Sequence, residues 1–356
     1  MATRYKEYPW IPFKQTIMKI KQIGFLLIIL FLSTKNFAQS DIENFVKEGI
    51  EYHDKGDYEK AIETYEKALT LDPNATLINY EIALSYFSKG DYKEAIRFSD
   101  VVLKQNKDYM LQAYMTKGSA LDMLGETKES IKLFEKAIKK TEGHYLLYYN
   151  LGLNYYKIDN LDNAEKNVIK AIELNPNHSS SHLMLANIHS LKGNSVQTLL
   201  AIHYFLFLEP SSQRSREAYS MLQKNFGGNV SEDGNKPNTI NILLSPNSDS
   251  QFGAAELMVS LLAASKSLEE NDGKTDDEMF VENTEKFFKI LGELKKKKDN
   301  DIWWTFYTTF YYDLAKSQHL ETYCKYITQS RSENSKKWLS ENEGKLNEFD
   351  KWLREN

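Results

Sequence analysis

The sequence predicts an all-α protein made of paired-helix units in a row, followed by a small helical domain. Three observations carry that reading. A turn residue recurs at Gly56, Gly90, Gly125, Asp159 and Gly193, at intervals of 34, 35, 34 and 34 residues. Five places after each turn stands a small side chain: Ala61, Ala95, Ser130, Ala164 and Thr198. The composition is helix-prone, with seven prolines in 356 residues and 27% charged against 41% hydrophobic residues. A chain of this length can form one elongated domain plus a small one.

The N-terminal residues 1–38 are expected to lie outside the fold. Ile23 to Leu32 is a ten-residue apolar run, short for a membrane-spanning helix. Lys19 and Lys21 precede it, and Asn36-Phe37-Ala38-Gln39-Ser40 comes after it. That is the layout of a secretory signal peptide, with cleavage after Ala38 or Ser40. The competing reading is an uncleaved N-terminal anchor. Glu7, Pro9, Trp10 and Pro12 fit a leader poorly, so translation is expected to begin at Met18. The expectation is export, to the periplasm or the medium of a Gram-negative bacterium, with no membrane span left after cleavage.

Charge and cysteine content narrow the function. The net charge is −5, and the leader is basic, so the remainder carries about −10. An acidic chain without a basic stripe is a poor nucleic-acid binder. Lys295 to Lys298 form a basic run, read as the solvated end of a helix favoured by the helix dipole. Cys324 is the only cysteine, so no intrachain disulfide can form.

Within each unit further positions recur. A second small or medium residue stands at Ala68, Val102, Ala137, Ala171 and Phe205, and a stop at Pro73, Lys107, Glu142, Pro176 and Pro210. Upstream of the turn come Gly49, Ala83, Gly118, Gly152 and Ala186, each followed three places on by Tyr52, Tyr86, Leu121, Tyr155 and His189. Glycine at the turn can take the positive φ that ends the first helix. The small residues let paired helices approach closely. One unit cannot bury its apolar face alone, so units must stack.

This pattern resembles the tetratricopeptide repeat (TPR). The resemblance covers 42–212 as units 42–75, 76–110, 111–144, 145–178 and 179–212. The last is degenerate, with Thr198 and Phe205 at its small positions. Residues 214–222 suit a helix that solvates the end of the stack, giving a repeat domain over 42–226. The resemblance implies a right-handed superhelix whose concave groove is lined by the first helix of each unit. The implied inward positions are Glu43, Val46, Ile50 and His53, then Leu77, Tyr80, Leu84 and Phe87. They continue with Gln112, Met115, Ser119, Asp122 and Met123, then Leu146, Tyr149, Leu153, Tyr156 and Lys157, then Leu183, Asn187 and Leu191. The candidate partner site is Tyr80, Leu84, Phe87, Met115, Asp122, Met123, Tyr149, Leu153 and Tyr156. Aromatic and methionine-rich, it suits an apolar or amphipathic segment of a protein partner. The Asn/Lys/Arg set that clamps a peptide carboxylate in chaperone-binding members is replaced by Val46, Ile50, Tyr80 and Leu84.

Residues 227–250 read as a linker rich in Gly, Asn and Asp. Thr239 to Leu244 alternates briefly and is expected to be extended along the helices. A helical C-terminal domain over 251–356 comes next, with helical patterns at 251–268, 276–297, 318–328 and 332–354. Between them, 301–314 is aromatic on nearly every side, as in Trp303-Trp304-Thr305-Phe306-Tyr307. A helix apolar all round is buried, so this segment should be the domain's centre. It resembles segments of exported repeat proteins of Gram-negative bacteria, a resemblance that implies no activity. Trp338 and Trp352 sit on a charged last helix expected at the surface.

The sequence offers little for catalysis. His178 and His182 are spaced i, i+4, but His178 falls in an inter-repeat loop, and His189 takes a packing position. Gly227-Gly228 lacks the Lys-Ser/Thr of a phosphate loop. Cys324, among Tyr323, Tyr326 and Ile327, reads as a buried apolar residue. No catalytic, metal or cofactor residue is assigned, and no cofactor is expected. The reading is a non-enzymatic, protein-binding scaffold of the cell envelope. The alternatives are an enzyme with its site in the aromatic C-terminal domain, and a structural envelope component whose groove is filled by its own C-terminal region.

Overall fold

A computed structural model describes residues 39–227, 230–232, 240–242, 251–264 and 273–355. The leader with its proposed start and Ala38, and the linker stretches 233–239 and 243–250, lie outside the described residues. The chain divides into two compact units, one ending at Ser130 and the other running from Ile131.

The described helices keep the predicted period. Residues 39–54 form α1, then come α2 (Tyr58–Leu71), α3 (Thr76–Lys89), α4 (Tyr92–Gln105), α5 (Met110–Met123) and α6 (Thr127–Lys140). The second unit continues with α7 (Tyr145–Lys157), α8 (Leu161–Leu174), α9 (Ser179–Lys192), α10 (Ser195–Leu208) and α11 (Gln213–Gly227). Each turn position has positive φ: Gly56 at 79°, Gly90 at 90°, Gly125 at 81°, Gly193 at 76°, and Asp159 at 59°. The next residue starts the second helix. Asp57, Asp91 and Asn160 each accept a backbone N–H three residues on, as N-caps do. One dipeptide therefore stops a helix and begins the next.

The small positions do what close packing requires. In the first unit Ala61, Tyr65 and Ala68 of α2 meet Ile78, Ile82 and Ala83 of α3 in one apolar cluster. A Cβ on Gly49 would stand 2.3 Å from Tyr65 Cε1. In the second unit, a Cβ on Gly152 would stand 2.7 Å from Val168 Cγ2 and 3.2 Å from the Ala164 carbonyl oxygen.

Beyond α11 lie β1 (Val230–Glu232) and β2 (Ile240–Ile242), an antiparallel pair with Ser231 opposite Asn241. Of the expected extended segment, Ile240–Ile242 is therefore a strand of a local ribbon, satisfied by backbone pairing and set beside α12 (Gly253–Ala264). Next come α13 (Asp276–Leu294), a π-helical turn (Trp303–Thr308), α14 (Thr309–Lys316), α15 (Leu320–Thr328), α16 (Glu333–Glu341) and α17 (Glu343–Glu355). The predicted last helix, 332–354, is two helices. The Asn342 side chain donates to the Trp338 carbonyl at 2.8 Å, and its backbone leaves the helical region there. The lysine run comes after α13 rather than forming its last turn, because Lys295 is already extended, with its Nζ on Thr309 Oγ1 at 2.7 Å.

One apolar core joins the fourth and fifth repeats to the C-terminal helices. Trp304, Tyr307 and Tyr311 are fully buried in it. Tyr311 Oη donates to the Leu200 carbonyl at 2.9 Å, and Tyr323 Oη lies 3.0 Å from His203 Nδ1. His182 lies 2.8 Å from the Pro176 carbonyl through Nε2 and 2.6 Å from Tyr307 Oη through Nδ1. The carbonyl can only accept, so Nε2 carries the hydrogen and Nδ1 accepts from the tyrosine. Burial pushes His182 down to about 4 and His203 down to about 3. Both imidazoles are neutral fixtures of the core.

Candidate partner-binding surface

Each first helix of repeats 2 to 4 carries two apolar stripes, and burial separates them. On α3, Ile78, Ile82 and Ala83 are buried, whereas Leu77, Tyr80, Leu84 and Phe87 are half-buried. On α5, Ala113, Tyr114 and Ala120 are buried, Met115 and Asp122 are half-buried, and Met123 is 55% exposed. On α7, Leu147 and Leu151 are buried, and Tyr149, Leu153 and Tyr156 are half-buried. Helical spacing produces this: 77, 80, 84 and 87 share a face, displaced from the face that carries 78 and 82.

The half-buried residues are set by their neighbours. Tyr80 stacks on Tyr109 with centroids 5.5 Å apart, and Phe87 lies 5.6 Å from Tyr92. Asp122 accepts from Thr127 Oγ1 at 2.9 Å. Tyr149 meets His178 edge-on at 4.8 Å, and burial raises its phenol above the ordinary range. Leu153 and Tyr156 pack against the core of the second unit. The residues on α3 and α5 belong to the first unit and those on α7 to the second.

A cleft of about 480 Å³ extends this kind of surface to the first repeat, where Ile42, Val46 and Ile50 of α1 face Ala75, Leu77 and Ile78. Glu43, Lys47 and Glu51 rim it. The nine-residue site drawn from sequence begins only at Tyr80. The spacing of Ile42, Val46 and Ile50, four apart, was the available signal.

In the second unit the C-terminal helices land elsewhere. Trp303 meets His189 edge-on at 4.7 Å, Phe306 lies 4.8 Å from Tyr204, and the hydroxyls of Tyr311 and Tyr323 reach α10. His182 and His189, seven apart on α9, form the face that receives them. Leu183 and Asn187 lie on another face, half-buried, and Leu191 is 62% exposed. His178 and His182 do not converge, since His178 Nδ1 bonds Ser181 Oγ at 2.8 Å. Cys324 is buried, and burial pushes its thiol well above the usual range.

Family models described as TPR repeat and tetratricopeptide repeat match residues 49–90, and 111–139 with 145–178. These are the residues on which the period, the positive-φ turns and the close-packed small positions coincide. Over these residues the chain carries tetratricopeptide repeats. A TPR repeat-containing protein of Methanocaldococcus jannaschii is 25% identical over 188 residues, 51% of this chain and 33% of that protein. The chain thus spans about a third of the length of that curated relative. Among solved structures, a thermophilic TPR protein of Thermus thermophilus is 19% identical, covering 51% of this chain and 98% of that chain, with TM-score 0.44. Pseudomonas aeruginosa PilF is 18% identical, covering 53% and 90%, with TM-score 0.44. Repeats of this family present extended binding surfaces to other proteins. Among the described residues, no helix is long and apolar enough to cross a membrane.

Proposed function

We propose that this tetratricopeptide repeat protein is an exported, non-enzymatic scaffold of the cell envelope. Its first-helix stripes bind an apolar or amphipathic segment of another polypeptide. The observation that carries the reading is the second apolar stripe. Tyr80, Leu84 and Phe87, and again Tyr149, Leu153 and Tyr156, stay partly open although the helices bearing them already bury a full apolar face. Apolar surface left open on this scale favours a partner. Support for export comes from the leader's apolar run and its small-residue exit.

A photo-crosslinking amino acid at Phe87 or Tyr156, in cells, tests the surface. Each should trap a partner that is lost in Tyr80→Ala/Leu84→Ala or Tyr149→Ala/Leu153→Ala protein of unchanged helicity. Identical adducts from all variants would sink the reading. N-terminal sequencing tests export: a mature end at Gln39 or Asp41 agrees with it, and an intact leader on cytosolic protein does not.

A further inference from the structure

The second unit holds a cleft of about 640 Å³ between α8 and the chain that leads into and through the π-helical turn. That volume suits a small ligand. Apart from His189, the ionisable side chains of its lining are acidic. Glu165, Glu173 and Asp301 contribute carboxylates, and no lysine or arginine among the described residues lines it.

The carboxylates are held in place. Burial opposes the charge on Glu165, but His189 and Lys192 overcome it and hold the carboxyl at about 2. His189 Nε2 is 3.3 Å and Lys192 Nζ 2.7 Å from its oxygens. Asp301 takes the backbone N–H of Trp303 at 3.0 Å and the Gln251 amide at 3.2 Å. Glu173 is exposed at the rim, 2.9 Å from Lys170.

Gln197 is an independent observation. Its side chain lines the same cleft, the residue is only 3% exposed, and its Oε1 has no donor among the described residues. A buried amide oxygen without a donor costs about 1–3 kcal/mol. Aromatic rings complete the walls, with Trp303 edge-on to His189 and Phe252 stacked on Trp304 at 4.8 Å.

Fixed carboxylates, an acceptor short of a donor and aromatic walls all select a cation rich in N–H groups. A guanidinium suits them better than an ammonium. It is planar, weakly hydrated, stacks on rings and donates in several directions at once. We propose that this cleft binds a guanidinium group, borne by a free small molecule or by an arginine side chain of a polypeptide.

Titration calorimetry on the full chain tests it, using L-arginine, agmatine, the tripeptide Gly-Arg-Gly, L-lysine and L-citrulline. Citrulline keeps the shape and lacks the charge. At least one guanidinium compound should bind about 10-fold or more tighter than both citrulline and lysine. Arginine or agmatine above the tripeptide assigns a small molecule, and the reverse assigns a polypeptide side chain. Glu173→Gln, at an exposed position that cannot disturb the core, should weaken binding about threefold. Gln197→Leu should weaken it further, with the circular-dichroism melt reporting on folding. Equal binding of citrulline or lysine, no binding of any guanidinium compound at millimolar concentration, or full affinity in both variants overturns the proposal.

Discussion

Helices α4 and α10 hold the same place in their repeats but live in different surroundings. α4 buries Ala95, Phe98, Ser99 and Val102, one face, and shows the other to solvent. α10 buries eleven consecutive residues, Val196 to Leu206. A second helix of a repeat is ordinarily an amphipathic outer layer. Here the fifth becomes the central helix of a larger core, wrapped by α11, α12, α15 and the π-helical turn. The departures that make the fifth repeat look decayed are adaptations to that role. Thr198 is fully buried with its hydroxyl on the Asn194 carbonyl at 2.8 Å, and Phe205 is fully buried in the shared core. Degeneracy in a terminal repeat can thus mark a docking surface for the next domain of the chain.

Acid should separate the two units most strongly. Six of the seven histidines lie beyond Ser130, and only His53, half-buried, lies before it. Folded His182 titrates at about 4 and His203 at about 3, against 6.5 for the free side chain. Below pH 6.5 the unfolded chain binds protons that these folded imidazoles refuse, so stability falls with pH. Each histidine costs about 1.4 kcal/mol per pH unit, down to about 4 for His182 and 3 for His203. Hydrogen exchange at pH 7 and pH 5 should show the second unit losing protection by several kcal/mol and the first losing little. Equal loss in both units would remove the histidines from the explanation.

Next in size is Phe205→Ala. It restores the small residue that the repeat pattern prefers, yet it should destabilise the second unit by about 3–5 kcal/mol, as a buried phenylalanine does. Val102→Ala, at the matching place in α4, should cost about 1 kcal/mol. Urea denaturation of both variants measures the difference. A neutral Phe205→Ala would mean that the fifth repeat is only eroded.

A smaller effect is expected at the turns. Asp159 holds a φ of 59°, where its four counterparts are glycine. Asp159→Gly should stabilise by a few tenths to about 1 kcal/mol, because an L-residue pays 1–2 kcal/mol there, partly offset by glycine's greater unfolded-state entropy. Gly90→Ala should destabilise by a similar amount. Thermal melts of the two variants moving in the same direction would contradict the turn geometry.

The same contrasts mark where sequence is informative. The turns, the small positions and the two-striped first helices were legible because each is a local requirement repeated four or five times. The role of α10 was less so, since Phe205 reads as a flaw until Phe288, Tyr311 and Tyr323 are placed around it. The aromatic run, expected to be buried on every side, buries Trp303, Trp304, Tyr307 and Tyr311 but leaves Phe306, Phe310 and Tyr312 half-buried, and the widened turn at Trp303–Thr308 means it is not continuously α-helical. The break at Asn342 depends on one side-chain hydrogen bond. The guanidinium cleft was invisible, because Glu165, Gln197 and Asp301 come from distant segments with no spacing to connect them.

The smallest effect falls on the open stripe, and its smallness is informative. Leu84 is half-buried, whereas Ile82, two residues away on α3, is fully buried. Ile82→Ala should cost about 2–5 kcal/mol. Leu84→Ala removes contacts that solvent already shares, so its cost should stay below about 1 kcal/mol. If partner crosslinking falls while the urea midpoint hardly moves, Leu84 serves recognition rather than stacking. A stability loss matching that of Ile82→Ala would place Leu84 in the core and leave α3 with one apolar face, already satisfied, and no need of a partner.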